Sequence, residues 1–364
     1  MKKLTIVHLS YVYVGEYRDH DTWIRRINFF TTILSAMAKH ATVKSVHCIG
    51  YEGAVKHNDV EFYFFNTGRF FAQFPLRIHD RVKEFNPDAV IVHGLVFPLQ
   101  IILLRKALGS GVKIFVQHHA EKPLRFYKRF LQAIADRYVE AYFFTAFGLA
   151  EPWVTSRQIG DASKIFEVME VSSVFSPVDA NTEDRAKRYL WVGRLDGNKD
   201  PLTLIKGFGK FSEEVRGVKL TIIYRDGNLH QEVALLLEKN NWKDSIDLKE
   251  DVPHEALSTW YNKSGFILST SHYEGSGTAV CEGMSCGCIP VVTDIPSFGM
   301  MTGKGKVGFT FKAGDVNSLT QALYKTTLIE QEAERHKVIR HFTEHLSNEA
   351  IATRMLKIIE QRIA

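Results

Sequence analysis

Short apolar runs alternate along this chain with longer segments in which apolar residues recur at helical spacing. In the first half, the short runs predict strands at residues 4–9, 43–48, 61–65, 89–92, 113–117 and 141–144. The longer segments between them predict helices at residues 22–39, 76–85, 97–108 and 124–138. Strands that alternate with helices are typical of a parallel sheet whose crossover connections are helical.

The alternation stops at a polar stretch and then starts again. This stretch, residues 177–188, opens with Pro177 and predicts a linker. Beyond it, strands are predicted at residues 188–192, 218–224, 245–248, 266–269, 289–292 and 308–311. Helices are predicted at residues 201–211, 231–239, 255–262, 278–286 and 315–328. A last amphipathic stretch, residues 348–362, has no strand left to connect.

The whole pattern predicts an α/β protein made of two facing Rossmann-like domains. We expect a first domain over residues 1–178, a linker over 179–187, a second domain over 188–346 and a C-terminal helix over 347–364. That helix is expected to pack back on the first domain. Ligands of such sheets bind beyond the carboxyl ends of the strands, so we expect an active cleft between the two domains.

Composition narrows the class of protein. The chain has 364 residues, 45% hydrophobic and 24% charged, a mixture typical of globular proteins and not of disordered or fibrous ones. The most apolar stretch, residues 89–104, is interrupted by His93 and Pro98 and is shorter than the ~18–20 residues of a membrane-spanning helix. The apolar N-terminus is interrupted by His8, and we interpret it as a first strand and not as a signal peptide.

Cysteine usage and charge indicate a compartment and a class of partner. Four cysteines are too few to cross-link a chain of this length, so we expect buried thiols and a cytoplasmic location. Residues 1–180 carry 22 Lys and Arg against 17 Asp and Glu, whereas residues 181–364 carry 24 of each, so the net charge of +5 belongs to the first half. This excess is too small to indicate nucleic acid, but it suits an anionic substrate or an anionic membrane surface.

The loop after the first strand argues against a dinucleotide cofactor. A nicotinamide-binding sequence has the pattern Gly-x-Gly-x-x-Gly at this place. Here the loop holds a single glycine, Gly15, among tyrosines. A dehydrogenase is therefore disfavoured.

The segment over residues 273–283 carries the strongest chemical signal. It follows a predicted strand, passes through Gly275 and Gly277 and enters a predicted helix. Such a turn offers free backbone N–H groups and the positive end of a helix dipole, which suits a diphosphate. Glu274 and Glu282 flank the turn, where their carboxylates can hold hydroxyl groups of a nucleotide sugar. Taken alone, two solvated glutamates beside a turn explain the segment equally well.

A second segment, residues 189–201, also runs from a predicted strand through a loop to a helix start, with Pro201 in the first helical turn. Arg194 and Lys199 project from this one loop. A guanidinium and an ammonium together suit a pyrophosphate leaving group, whose negative charge grows as the glycosidic bond breaks. Because surface cations are usually only solvated, the functional interpretation depends on the two segments together.

Together the two segments resemble the family-4 glycosyltransferases of the GT-B fold. The sequence VGRLDGNKDPLTLIKGF is similar to that family's opening of the donor domain, and EGSGTAVCEGMSCGCIPVV is similar to its Glu-x7-Glu stretch. The resemblance is strong over residues 187–328 and thin before residue 86. It implies a retaining, metal-independent transfer of a sugar from a nucleotide-diphosphate donor to a glycan or lipid-linked acceptor.

The resemblance also implies roles for individual residues in donor binding. Arg194 and Lys199 would hold the donor diphosphate and stabilise it as it leaves. Glu274 would contact the transferred sugar, and Glu282 would bind the ribose hydroxyls. Further donor-binding positions are Gly193, Gly275, Ser276, Gly277 and Thr278.

In the first domain, the resemblance points to a histidine at a strand end. His119 would approach the transferred sugar, with the neighbouring His118 as an alternative match, and Gly15 stands where the family has a glycine-rich turn. Two departures from the family pattern are Glu170-Val-Ser-Ser, in place of an Asn-Gly before the linker, and Ile295-Pro-Ser-Phe, in place of a Pro-Glu.

The residues also bear on mechanism and on metals. No carboxylate pair suggests a glycosidase-type nucleophile and acid, so we favour front-face substitution in which the leaving phosphate accepts the acceptor's proton. Asp19-His-Asp21 has the form of a metal-binding Asp-x-Asp motif, but its place before a helix predicts capping and solvated charge. No metal or other cofactor is expected.

The segment over residues 122–134 is compatible with two interpretations. It predicts a helix with Phe126, Phe130 and Ile134 on one face and basic residues nearby. We interpret this face as a stripe that packs on the core, because surface helices normally carry one. The alternative is an interfacial contact with an anionic membrane, which would suit a lipid-linked acceptor.

Two other functions fit the same architecture. A nucleotide-sugar epimerase would need an acid and a base in the cleft, which the arginine–lysine and glutamate pairs do not suggest. A non-catalytic module that binds a nucleotide sugar would need only the donor half. Product analysis separates the three hypotheses, because only a transferase consumes acceptor.

Overall fold

The computed structural model describes residues 3–68, 74–178 and 185–363. It divides into two compact units. Unit 1 comprises Met1–Ser172 and Asn348–Ala364, and unit 2 comprises Ser173–Ser347. The C-terminal segment therefore belongs to the first unit, as the sequence predicted.

The described strands and helices alternate along most of the chain. The strands are β1 (Thr5–Val14), β2 (Thr42–Ile49), β3 (Gly53–His57), β4 (Val60–Phe65), β5 (Ala89–His93), β6 (Lys113–Gln117), β7 (Val139–Phe144), β8 (Ile165–Glu167), β9 (Arg188–Leu195), β10 (Lys219–Gly227), β11 (Ile246–Glu250), β12 (Phe266–Ser269), β13 (Ile289–Thr293) and β14 (Phe309–Phe311). The helices are α1 (His20–Arg26), α2 (Asn28–Ala38), α3 (Leu76–Glu84), α4 (Pro98–Leu108), α5 (Tyr127–Ala135), α6 (Phe147–Thr155), α7 (Pro201–Glu214), α8 (His230–Lys239), α9 (His254–Lys263), α10 (Thr278–Ser285), α11 (Pro296–Met301), α12 (Val316–Thr326), α13 (Gln331–His345) and α14 (Asn348–Ile363).

Unit 1 is built on one sheet with the strand order β3-β4-β2-β1-β5-β6-β7-β8. Only β3 is antiparallel to its neighbour among the described strands. Apolar β-branched residues recur in its central strands, as expected when helices cover both faces of a sheet. The carboxyl ends of β5 and β6 meet at one edge, where His93 lies opposite Gln117. Helix α14 completes the unit against α2, and the Thr32 hydroxyl donates to Asn348 Oδ1 over 2.9 Å.

Unit 2 is built on a six-stranded parallel sheet with the order β11-β10-β9-β12-β13-β14. The order reverses at β9, which lies between β10 and β12. In sheets of this type the reversal point is where ligands bind, outside the carboxyl ends of the strands. Both units are therefore Rossmann-like α/β layers, which confirms the predicted fold class.

The strand pattern of the sequence is largely confirmed, and the misses have local reasons. Strand β3 is an exposed edge strand with a polar pattern, and β8 has only three residues. The single helix expected over residues 22–39 is broken at Ile27, whose backbone leaves the helical conformation with ψ at 21°. Helices α6, α11 and α13 were not predicted; α13 buries a single residue, Val338, and so lacks an apolar stripe.

The first boundary lies at residues 172/173 and not at 178/179. Residues 173–178 belong to unit 2 because their polar groups bond there. The Ser285 hydroxyl donates to Ser173 Oγ over 2.7 Å, and the Val178 N–H donates to Asn262 Oδ1 over 2.8 Å. Of the expected linker, residues 179–184 lie outside the described residues. The end of the expected linker is bound to unit 2, because buried Arg185 donates to two backbone carbonyls of that unit.

Two further expectations concern thiols and membrane spans. All four cysteines are free and buried, as predicted. Burial raises the pKa of each, for example that of Cys48 to about 12, so these thiols are not poised to react. In the described ranges, no helix combines the length and the apolar character that crossing a membrane requires.

Candidate functional site

The two motif segments of unit 2 lie side by side at one edge of its sheet. They follow β9 and β12, which are neighbouring strands. Three hydrogen bonds join the loops: His272 N–H to the Asn198 carbonyl at 2.8 Å, the Asn198 amide to the Tyr273 carbonyl at 3.0 Å, and the Thr270 hydroxyl to the Lys199 carbonyl at 2.7 Å. The structure thus brings together residues that lie about 75 positions apart in the sequence.

Lys199 and Glu274 form an ion pair at the centre of this edge. Lys199 Nζ lies 2.5 Å from Glu274 Oε1, and both side chains are mostly buried. The Lys199 N–H donates to Asp196 Oδ1, and the Glu274 carbonyl accepts from the Ser297 hydroxyl. Both residues are therefore held from the backbone, which fixes where their charges lie.

Arg194 lies at the carboxyl end of β9, just before the loop that carries Lys199. Its Nε donates to Asp196 Oδ2 over 2.8 Å, and most of its side chain is open to solvent. Burial opposes ionisation of Asp196, but the N–H of Lys199 and the Arg194 guanidinium lower the pKa of this carboxyl. Asp196 therefore stays ionised, orients the Arg194 guanidinium and holds the backbone of Lys199.

The glycine turn leads directly into a helix, as the sequence predicted. Gly277 precedes α10 in the left-handed region, with φ at +58°, and a Cβ there would lie 2.5 Å from the Phe298 ring. Gly275 and the buried Ser276 lead into this turn, and Thr278 begins α10. The first N–H groups of a helix have no partner within the helix, so they are available to an anion. Gly193 lies on β9 just before Arg194, where a Cβ would lie 2.9 Å from the Trp191 ring.

Glu282 is buried in α10 and both of its carboxylate oxygens are occupied. His254 Nε2 donates to Oε1 over 2.7 Å, and the Tyr261 hydroxyl donates to Oε2 over 2.9 Å. Burial first, and the neighbouring carboxylate second, raise the pKa of Tyr261 well above its usual range. Sequence reasoning missed both partners, because they lie in α9 and no motif joins them to Glu282.

In unit 1, His119 lies directly beyond β6 and is partly exposed. Its Nδ1 contacts the buried carboxylate of Glu170, and its Nε2 contacts His93 Nδ1. The alternative candidate, His118, is buried, stacks on Phe144 at 4.4 Å between ring centroids and bonds the Glu121 carbonyl. The exposure thus favours His119 over His118 for a ligand contact. Glu170 was noted in the sequence only as a departure from the family pattern.

Two other predicted features of unit 1 have structural roles. The Asp19 carboxylate accepts from the Thr22 N–H over 2.8 Å and caps α1, as predicted, and this hydrogen bond lowers the pKa of Asp19. Gly15 lies in the turn after β1, and its carbonyl oxygen packs against Gly50 so closely that a Cβ on Gly50 would lie 2.4 Å away. Within the described ranges, no group of three His, Cys, Asp or Glu side chains is placed to hold a metal ion.

The apolar face of the segment over residues 122–134 does not pack on the core, which corrects our interpretation of it. Phe126 is 86% exposed, Tyr127 68% and Phe130 71%. Phe126 immediately precedes α5. Its backbone adopts φ +53° and ψ −142°, a conformation that residues other than glycine rarely adopt. The helix instead contacts the unit through buried Gln132 and Ala135.

The comparisons with known proteins place this site in a known context. Residues 176–345 match a family model described as glycosyl transferases group 1. The chain is 22% identical over 334 residues to a poly(glycerol-phosphate) alpha-glucosyltransferase of Bacillus subtilis, covering 87% of this chain and 46% of that protein. It is 25% identical over 224 residues to a GDP-mannose:cellobiosyl-diphosphopolyprenol alpha-mannosyltransferase of Xanthomonas campestris, covering 58% of this chain and 57% of that protein. The chain spans about half the length of the curated relatives it matches.

A solved structure agrees over the whole chain. A glycosyltransferase from Rickettsia africae ESF-5 aligns over 100% of this chain and 99% of that one, with a TM-score of 0.72 at 16% sequence identity. At that identity the likeness shows the fold, which is the GT-B fold. The family match and these relatives together support a glycosyltransferase of the GT-B fold, whereas membership of family 4 and the Glu-x7-Glu roles stay predictions.

Proposed function

We propose that this protein is a retaining glycosyltransferase that moves a sugar from a nucleotide-diphosphate donor to a glycan or lipid-linked acceptor, without a metal ion. The observation that carries the proposal is the Lys199–Glu274 pair beside the glycine turn that opens α10. A cation, a carboxylate and free helix N–H groups at one strand edge are the groups that a sugar diphosphate requires.

Donor binding would rearrange this ion pair. A diphosphate offers Lys199 more negative charge than Glu274 does, so the ammonium would turn to the phosphate and release the carboxylate to a sugar hydroxyl. Arg194 would add a second cation from its exposed position. Glu282 would receive the ribose hydroxyls, since a carboxylate oxygen can accept more than the one bond that each now has from His254 and Tyr261.

The transfer step needs no enzyme nucleophile. The bond between the anomeric carbon and the diphosphate oxygen breaks, and the acceptor oxygen forms its bond on the same face. The acceptor's proton goes to the leaving phosphate oxygen. Lys199, Arg194 and the N–H groups at the start of α10 neutralise the growing charge on the phosphate, which is the work that a metal ion performs in other transferases.

Calorimetric binding of UDP, GDP, ADP and NAD, with and without EDTA, tests the donor site. We expect one nucleoside diphosphate to bind, with no effect of EDTA, and we expect Lys199→Ala and Glu282→Gln each to weaken binding at least about tenfold. Lys206→Ala is the matched control, since Lys206 is an exposed lysine on α7. Binding that is indifferent to both site variants would contradict the proposal.

Product analysis with the selected nucleotide sugar then tests the reaction. A transferase releases nucleoside diphosphate and joins the sugar to an acceptor with its anomeric configuration kept. Return of an altered donor would identify an epimerase instead. Binding without any turnover, across glycan and lipid-linked acceptors, would identify a binding module.

We also propose that unit 1 makes a peripheral contact with anionic membrane through the start of α5. Three aromatic side chains there are exposed, and the basic residues Arg125, Lys128 and Arg129 are exposed beside them. Residues 122–135 contain no Asp or Glu, so this segment contributes no negative charge to the surface. Aromatic rings suit the headgroup boundary and basic side chains suit anionic lipids. A lipid-linked acceptor would be presented at such a surface.

Vesicle sedimentation tests this contact. We expect binding to vesicles that contain phosphatidylglycerol, weaker binding to pure phosphatidylcholine, and loss of most binding in the double variant Phe126→Ala, Phe130→Ala. Leu328→Ala is the control, because Leu328 is a similarly exposed apolar residue of unit 2. Equal binding of the double variant and the control would contradict the proposal.

A further inference from the structure

Side chains from four separate segments of unit 1 form one cluster around His119. His93 from β5 contacts His119 Nε2, and Glu170, three residues beyond β8, contacts His119 Nδ1. The His8 ring, from β1, lies edge-on to His93 at 3.5 Å between centroids. Of these groups, His8 and Glu170 are buried, and His119 is partly exposed to solvent.

The charge of this cluster can be assigned from its contacts. A buried carboxylate is stable only with a positive or strongly donating partner, and the Glu170 oxygen lies against the His119 ring. Burial lowers the pKa of His93 and of His8 well below the usual value, and repulsion by neighbouring histidines, His8 for His93 and His47 for His8, lowers it further. The one positive charge among these histidines therefore belongs on His119, and its Nε2–H donates to neutral His93.

We propose that Glu170 is a positioning residue that holds His119 as a cationic hydrogen-bond donor for the transferred sugar, an inference that rests on the proposed function. The carboxylate fixes the ring through Nδ1–H and leaves the Nε2–H as the donor that can turn from His93 to a sugar hydroxyl. A hydrogen bond from a charged donor is stronger than one from a neutral imidazole. The pair as a whole carries no net charge.

The zero net charge of the His119–Glu170 pair matters for the reaction. The sugar ring gains positive charge as the bond to the diphosphate breaks, so an unpaired imidazolium beside it would oppose the reaction. Paired with Glu170, His119 can donate a strong hydrogen bond without adding net positive charge.

Several charged or titratable groups face His119 and set its protonation. Burial of the ring opposes a charge, but Glu170 and then Glu121 overcome it and raise the pKa of His119. The other groups around it are His118 in the same loop, His93 on β5 and His8 on β1. Glu121 Oε2 accepts from the His119 backbone N–H, so it fixes the loop and contributes less directly to the ring.

Histidine NMR of the full chain tests the charge assignment without any substrate. We expect the His119 ring to stay protonated to a pH above the usual histidine value of about 6.5. In Glu170→Gln it should lose its proton at lower pH than in the wild type. Glu167→Gln is the matched control, since Glu167 accepts from the Phe147 N–H and is not in contact with His119. Titration of wild-type His119 at or below the usual value would overturn the inference.

Slow hydrolysis of UDP-glucose and GDP-mannose, without acceptor, tests the consequence for turnover. We expect Glu170→Gln to lower kcat by roughly 10- to 100-fold, with KM changed less, and to move the alkaline fall of kcat to lower pH. Glu170→Asp, which keeps the charge, should recover part of the rate. An unshifted pH profile in a folded Glu170→Gln protein would refute the positioning role. If no nucleoside diphosphate binds while His119 titrates as expected, the proposed function fails and the assigned pair stands.

Discussion

The two units hold their ionisable side chains in opposite ways. Unit 2 pairs unlike charges at the edge of its sheet, with Lys199 against Glu274 and Arg194 against Asp196. Unit 1 instead buries imidazoles, and burial lowers the pKa of five of them: His8, His47, His79, His93 and His118. Unit 2 therefore holds cations whose carboxylate partners an anion can replace, whereas the stability of unit 1 depends on these five histidines staying neutral.

The largest expected effect is a loss of stability of unit 1 in acid. A histidine whose folded pKa is depressed contributes full stability above about pH 6.5, and this is lost as the pH falls toward the folded value. That value is about 4 for His79 and about 3 for His47. His79 alone should cost on the order of 3 kcal/mol by pH 4, and domains are stable by only about 5–15 kcal/mol. We expect unit 1 to unfold first between pH 6 and 4, as checked by calorimetry and by hydrogen exchange in each unit.

A single variant sharpens this prediction. His79 Nε2 accepts from the Tyr11 hydroxyl over 2.8 Å, and glutamine at this position keeps a polar acceptor without titrating. His79→Gln should therefore flatten the pH dependence of unit 1 stability, while His40→Gln, at an exposed position, should leave it unchanged. First unfolding of unit 2, or equal behaviour of the two variants, would break the comparison.

The next largest effect tests whether the C-terminal helix stabilises unit 1 alone. Ile359 is fully buried in α14, which packs on α2. Ile359→Ala should lower the free energy of unfolding by about 2–5 kcal/mol, because it removes apolar contacts and leaves a cavity. Lys357→Ala, on the exposed face of the same helix, is the control. Hydrogen exchange should rise in unit 1 only; an equal rise over residues 185–347 would contradict the assignment of α14.

The same contrast explains what the sequence could predict. The site of unit 2 lies in two contiguous segments, each with a strand, a loop and a helix start, so its residues could be named from local pattern. Adjacent strands β9 and β12 then bring the segments together. The cluster of unit 1 is drawn from positions 8, 93, 119 and 170, and no local pattern joins residues so far apart. Periodicity alone was enough to predict the fold class, whereas predicting this cluster would have required the order of the strands in the sheet.

The sequence pattern also could not predict which side chains are exposed to solvent. The stripe of Phe126 and Phe130 has the spacing of a core-facing helix, and only the packing of α5 shows that these rings face solvent. Likewise, the partners of Glu282 come from α9, whose sequence carries no donor motif. Spacing indicates which residues share a face of a helix, but the neighbouring elements decide what that face contacts.

A smaller effect is expected from the packing of glycine in unit 2. Gly209 lies in α7, where a Cβ would be 2.3 Å from the Trp242 ring. Gly209→Ala should destabilise unit 2 by about 1–3 kcal/mol, because the indole must move and its hydrogen bond to Glu213 must adjust. Gly299→Ala in α11 is the opposite case, since no heavy atom lies within 4 Å of the new Cβ, and it should stabilise by about 0.5–1 kcal/mol. Urea unfolding of both variants checks the signs, and destabilisation by both would contradict this account.

Arg194→Ala is expected to have the smallest effect on stability, and it separates stability from function most clearly. Its side chain is 60% exposed, and exposed ion pairs are worth at most about 1 kcal/mol, so Arg194→Ala should barely change unfolding. If Arg194 binds a diphosphate, however, Arg194→Ala should weaken UDP or GDP binding several-fold, and more at low salt than at high salt. Lys243→Ala is the control: Lys243 pairs with Glu238 at 3.9 Å and is 64% exposed, but it precedes β11 and so lies at the amino edge of the parallel sheet, opposite the edge with the glycine turn. Because both residues are exposed, paired cations of unit 2, a binding loss confined to Arg194→Ala supports a role of its position beside Lys199, whereas equal losses would mean that unit 2 attracts nucleotides through its overall charge.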